Sequence, residues 1–200
     1  LFFIEKIDVI ILHYFTFKSY SMKKMLIGAL VGGLLLFIWQ FLSWSLLNVH
    51  GSQQQYTASQ DTILEMLSNN LEEGTYFLPT VPEGTSQEEA QKFMEEQTGK
   101  PWAVVSYHGS MADSMPMNML RGFAVDFLAA LFLCWILMKF SNLTFTNALL
   151  SSLAVGFIGY FTVTYLNSIW FEGNTIPELI DVVVSWGLVG VWLGWWLKKR

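Results

Sequence analysis

MLIGALVGGLLLFIWQFLSWSLLNV, residues 25–49, is a run of 25 positions without a charged side chain. A helix needs about 20 such residues to cross the hydrocarbon core of a bilayer, so the run spans. It is longer than a secretory apolar core and no small-x-small cleavage site follows it, so it stays as an uncleaved anchor. Three further predominantly apolar runs of similar length lie at 116–140, 145–170 and 176–197. The sequence therefore reads as an all-α integral membrane protein, a four-transmembrane-helix bundle in which residues 22–49 make the first helix and 116–200 the other three.

Composition agrees. In a chain of 200 residues, 53% are hydrophobic and 14% charged, with nine Trp and sixteen Phe, more apolar surface than a soluble domain of this size can bury. Lys23 and Lys24 precede the first helix, Lys139 closes the second, and Lys198, Lys199 and Arg200 follow the fourth. Basic flanks are retained on the cytoplasmic side, which places both termini in the cytoplasm of a bacterial inner membrane and residues 50–115 outside it. Residues 1–21 precede Met22, which with Lys23 and Lys24 has the form of a bacterial start. They read as translated upstream sequence or a cytoplasmic interfacial helix.

The segment 50–115 forms an extracytoplasmic cap with α+β character. Polar residues ahead of ILEML predict an amphipathic helix stopped by Gly74, TYFLPTV a strand ended by Pro82, and Ser86 with Glu89 a capping box opening a second helix to about residue 98. PWAVVSYH reads as a second strand, paired with the first under that helix, and the cap as resting on the helix ends. Ten acids against Lys92 and Lys100 make the segment acidic, which excludes nucleic acid as a partner. The partners implied are the lipid bilayer and, through small-residue faces, a homodimer or another membrane protein. Those faces are Gly28 with Gly32, Ser152 with Gly156, and Gly190 with Gly194.

Few polar residues lie inside the spans, and such residues normally turn inward to a partner. At 1.5 Å per residue, Arg121 lies about 7 Å and Asp181 about 6 Å from the outer ends of their helices, and this matched depth predicts an ion pair. Asp126 lies about 15 Å in, level with Gln40, Tyr160 and Ser185. That level is a candidate polar cluster for a proton, an ion or a small ligand, or for structural hydrogen bonding alone. Trp44, Trp170, Trp192, Trp195 and Trp196 fall near helix ends and read as headgroup anchors, while Trp39, Trp135 and Trp186 fill the bundle or line a cavity. His50 and His108 flank the membrane without ligand spacing. The stretch HGSMADSMPMNMLRG offers one soft-metal alternative, copper or silver on His108, Met111, Met115 and Met119. Methionine also packs irregular joins, and that is the favoured reading.

No HExxH, CxxC, GxSxG or P-loop is present and no cofactor is implied. The chain reads as a non-enzymatic structural, accessory or partner-binding protein, with ligand, proton or ion binding at Asp126 as the alternative. YLNSIWFEGNTIPELIDVVVSWGLVGVWLGWW, residues 165–196, resembles a family of small bacterial four-helix membrane proteins, domain of unknown function seventeen-sixty-one. The resemblance rests on Asn167, Phe171, Glu172, Gly173, Leu179, Ile180, Asp181, Gly190, Gly194 and Trp196. It covers the second to fourth helices and the Trp-rich end of the first, with a longer loop here, and implies topology without an activity.

Overall fold

The computed structural model describes residues 2–198, with side chains from 21 to 198, so the side chains of most of the 1–21 segment lie outside the described residues. Two units form, Leu1–Gln54 with Ser114–Arg200, and Gln55–Asp113.

The first unit is helical. α1 (Phe2–Phe41) continues through a π turn at Leu42–Leu46. Within the second unit lie α2 (Gln60–Asn70), β1 (Gly74–Leu78), α3 (Gln87–Gln97) and β2 (Ala103–Tyr107). The chain returns to the first unit with α4 (Met115–Leu137), α5 (Phe145–Gly159), a π segment (Tyr160–Tyr165) leading into α6 (Leu166–Phe171), and α7 (Ile176–Lys198). Four stretches are long and apolar enough to cross a membrane: Ser21–Leu46, Met115–Leu137, Phe145–Phe171 and Ile176–Lys198. They fall on the four apolar runs of the sequence. Pro116 and Pro177 each sit in the first turn of their helices, where the missing N–H leaves no bond unmade.

In this unit α1 packs against α4 and α7, and α5 packs against α7. The core is Ala29 and Leu36 of α1, Ala130, Leu133, Cys134 and Leu137 of α4, Ala148 of α5, and Val189, Leu193 and Leu197 of α7. Leu26, Leu30, Leu34 and Ile38 line the opposite, exposed side of α1. A helix apolar on both its buried and its exposed faces suits an apolar surrounding medium.

Without a hydrophobic drive between helices in lipid, close backbone approach does the packing. A Cβ on Gly33 would stand 2.7 Å from the Phe127 Cα, and one on Gly190 2.9 Å from the Leu149 Cα. At the Lys24 end, Trp192 Nε1 donates to Gly28 O at 3.0 Å and Trp196 Nε1 to Lys24 O at 2.8 Å. These indoles are therefore not headgroup anchors with wet N–H groups, as their position near a helix end predicts. They clasp α7 to the backbone of α1. Trp135 likewise departs from the expectation of bundle filling: it is exposed, and the Lys139 ammonium lies over its ring.

In the second unit β1 and β2 pair antiparallel, from Gly74 opposite Tyr107 to Leu78 opposite Ala103. Ser86 and Glu89 form the reciprocal capping box that opens α3. Two boundaries differ from the sequence reading. α2 ends at Asn70, with Leu71 extended, so Gly74 begins the strand rather than stopping the helix. β1 ends at Leu78 because the next residue, Pro79, has no N–H for the ladder. No residue from 55 to 113 is fully buried.

Candidate functional site at the His50 end

Where α1 finishes, the backbone turns back on itself. The π turn carries Leu47 N to Leu42 O and Val49 N to Ser43 O, and Asn48 then takes the left-handed conformation at φ 50°. Asn adopts that region more readily than most residues and commonly ends helices there. Gly51 follows close against the Asn48 side chain, where a Cβ would meet it at 2.5 Å. This reversal folds His50 back under the end of its own helix, where it is 3% exposed.

Across from it α7 begins. Asn174 Oδ1 accepts from Ile176 N, capping the helix, and Asp181 lies on the face towards α1. Its Oδ1 accepts from Trp39 Nε1 at 3.0 Å and from Ser43 Oγ at 2.6 Å. Trp39 and Ser43 are four residues apart and so share one face of α1. Asp181 Oδ2 meets His50 Nε2 at 2.8 Å. The Trp44 ring stacks on the imidazole at 3.9 Å, 7° from parallel, and covers it.

The network fixes where the protons are. Gln53 Nε2 donates to Asn174 O at 2.8 Å and to Glu178 Oε1 at 2.6 Å, so its amide oxygen is the atom facing His50 Nδ1 at 2.8 Å. An amide oxygen only accepts, hence Nδ1 carries a hydrogen. Nε2 then points at a carboxylate, and two lone pairs at 2.8 Å would repel. One proton must lie between His50 and Asp181.

Burial by itself pulls the His50 pKa down. The hydrogen bonds with Gln53 and Asp181 and the charges of Asp181 and Glu178 outweigh it, leaving His50 above its ordinary 6.5. The groups facing the imidazole are Gln53 from the turn after α1, Asp181 and Glu178 from α7, and the uncharged Trp44, while Trp39 and Ser43 hold the other oxygen of Asp181. Among the described residues no lysine or arginine pairs with either acid.

Beside this cluster opens a cleft of about 870 Å³, lined by Ser52, Gln53 and Glu178 and by the π segment and α6 from Thr162 to Phe171, closed by Gly173, Asn174 and Thr175. Glu178 Oε2 is buried and has no hydrogen-bond partner.

The matched depths of Arg121 and Asp181 predict an ion pair between them, but the ionic partner of Asp181 is His50. Arg121 is exposed on α4 and makes no ion pair among the described residues. Equal depth does not give direction around the helix, and the partner came from the turn after α1. Of the expected cluster, Gln40 and Asp126 meet, Gln40 Nε2 donating to Asp126 Oδ1 at 3.0 Å. Asp126 Oδ2 is buried without a partner. Tyr160 instead bonds Thr175 Oγ1 at 2.9 Å, and Ser185, buried on α7, bonds neither Gln40 nor Asp126. His108 and Met111 belong to the second unit and Met115 and Met119 to the first. Met111 is fully exposed, and Met115 and Met119 are exposed on the first turns of α4. Among the described residues no three His, Cys, Asp or Glu side chains are grouped to hold a metal.

Missed from sequence were His50, Gln53, Ser43 and Glu178, together with the polar role of Trp39. The available signal was two hydrogen-bond donors, Trp39 and Ser43, on one face of the first helix at the level of an acid in the fourth. No family model, curated protein or solved structure matches the chain.

Proposed function

We propose that this is a small multi-pass membrane protein with an accessory, non-enzymatic role, whose His50 end is a proton-responsive clasp between its first and last spans. With the lysine-rich helix ends in the cytoplasm, the clasp and the acidic 55–113 unit face outside, where the latter is placed to meet a partner. The observation that carries the reading is the 2.8 Å contact of His50 Nε2 with Asp181 Oδ2, in a site where Gln53 holds the other ring nitrogen protonated. Histidine is the side chain whose charge changes nearest neutral pH, and this one joins two spans.

A pKa raised on folding has a defined consequence for stability. The clasp contributes in full below pH 6.5, the unfolded value. Its contribution is lost as pH rises through the higher folded value. Thermal unfolding in maltoside micelles should therefore show stability falling as pH rises above 6.5. His50→Phe, which keeps an aromatic ring under Trp44, should be less stable at low pH and flat over the same range. A wild type as flat as the variant, or a variant that keeps the slope, would sink the proposal.

A further inference from the structure

We propose that the cleft beside the clasp binds an alkylammonium group, with Glu178 as its counter-ion and Trp170 and Phe171 as its aromatic wall. The size is that of a ligand site: about 870 Å³, within the range that small molecules occupy. It is too large for a bare metal ion, and it offers a single carboxylate where a hard cation needs several oxygen ligands. The charge then sets the sign of the ligand. Among the lining residues there is no Lys, Arg or His, and Glu178 is the sole acid.

The adjoining cluster sharpens this. His50 carries one positive charge against two acids, Asp181 and Glu178, when both acids are ionised. His50 is committed to Asp181, so Glu178 has a neutral donor, Gln53, on one oxygen and nothing on the other. The last torsion of a glutamate is broad, so a turn of the carboxyl presents the unpartnered oxygen to the cleft. Trp170 and Phe171 are exposed there, and aromatic faces attract ammonium groups. Ser168, Asn167 and Thr164 supply polar atoms on the same lining. An ammonium on an alkyl stem satisfies all of these features, whereas an anion would meet Glu178, the one charged side chain of the lining, as a like charge.

Such a group belongs either to a free amine or to a lipid headgroup such as ethanolamine. Calorimetric titration of the full chain in maltoside micelles, with butylammonium chloride as the probe and 1-butanol as its neutral counterpart, tests the site. Saturable binding of butylammonium, absent for butanol, is expected. In Glu178→Gln, which still accepts from Gln53, binding should weaken about tenfold or more, the scale of one charge-assisted contact. Asn167→Trp, which occupies the cleft and leaves the carboxylate in place, should weaken it too, and keeps the test sound if the first variant folds poorly. Displacement of the probe by phosphatidylethanolamine identifies a headgroup as the source, and failure to displace identifies a free amine. Equal binding by wild type and both variants, or none to the wild type, overturns the proposal. Because His50 and Asp181 are untouched, that outcome leaves the pH dependence of the clasp intact.

Discussion

Asp181→Ala is expected to destabilise the helical unit by about 3–5 kcal/mol, the cost of leaving a buried ionic partner without its counter-charge. The carboxylate accepts from Trp39, Ser43 and His50, and all three groups belong to α1 or the turn that follows it. Alanine leaves the Trp39 indole N–H, the Ser43 hydroxyl and the Nε2 side of the His50 ring without their carboxylate partner, while Nδ1 keeps Gln53, and each unsatisfied buried group costs about 1–3 kcal/mol. Asp181→Asn should be milder, since its amide oxygen can still accept from Trp39 and Ser43 while the amide nitrogen meets a neutral His50. Unfolding in mixed micelles of dodecyl sulfate and maltoside measures both. If Asp181→Ala lies within about 1 kcal/mol of wild type, below the range for even one well-buried unsatisfied group, the clasp does not hold α1 to α7.

The second large effect is steric. Gly33→Leu should abolish the packing of α1 on α4, and Gly33→Ala should cost about 1–3 kcal/mol, as overpacking does. The reason lies in what the added carbon meets. At Gly33 it meets backbone, 2.7 Å from Phe127 Cα, 2.8 Å from Phe127 N and 3.1 Å from Asp126 C. Backbone in a helix cannot rotate aside as a side chain can, so the two helices must separate. Separation also strains the Gln40 bond to Asp126, about two turns further along α1 and on the same neighbour. Gly187 is the internal control, because a Cβ there has nothing within 4 Å. Gly187→Ala should be neutral or stabilising by up to about 1 kcal/mol, as helix propensity favours. Equal effects of the two alanines would show that α1 and α4 are not in close backbone contact.

The residues that were legible in sequence are those whose signal is one-dimensional. Apolar length gave the spans to within a few residues, and proline in the first turn marked the starts of α4 and α7. The capping box at Ser86 was visible because it is local, four residues closing on themselves. Small residues at four-residue spacing were read as contact faces, and Gly190 is one. Gly33, the glycine pressed hardest against backbone, was not among them, since Gly28 and Gly32 hold the regular spacing and it does not.

The site was legible only as depth. Counting along the helices matched Asp181 with Arg121 and put Gln40, Asp126, Tyr160 and Ser185 at one level, but depth carries no azimuth: of the four only Gln40 and Asp126 meet, and Arg121 is exposed and makes no ion pair among the described residues. His50 lies beyond the apolar run, where a helix count stops. It enters the bundle because Asn48 takes a left-handed turn and folds the chain back, a tertiary consequence of one residue. Trp192 and Trp196 were misread for a similar reason: position at a helix end suggests a headgroup, whereas their indole N–H groups reach the α1 backbone.

Nitrogen-15 NMR of the His50 imidazole, recorded across pH in wild type and Asp181→Asn, bears most directly on the clasp. The geometry predicts hydrogens on both ring nitrogens below the folded value, and a ring that loses a proton only above 6.5 in the wild type and at a lower pH in the variant. A His50 that titrates at or below 6.5 and is unmoved by Asp181→Asn would contradict the account.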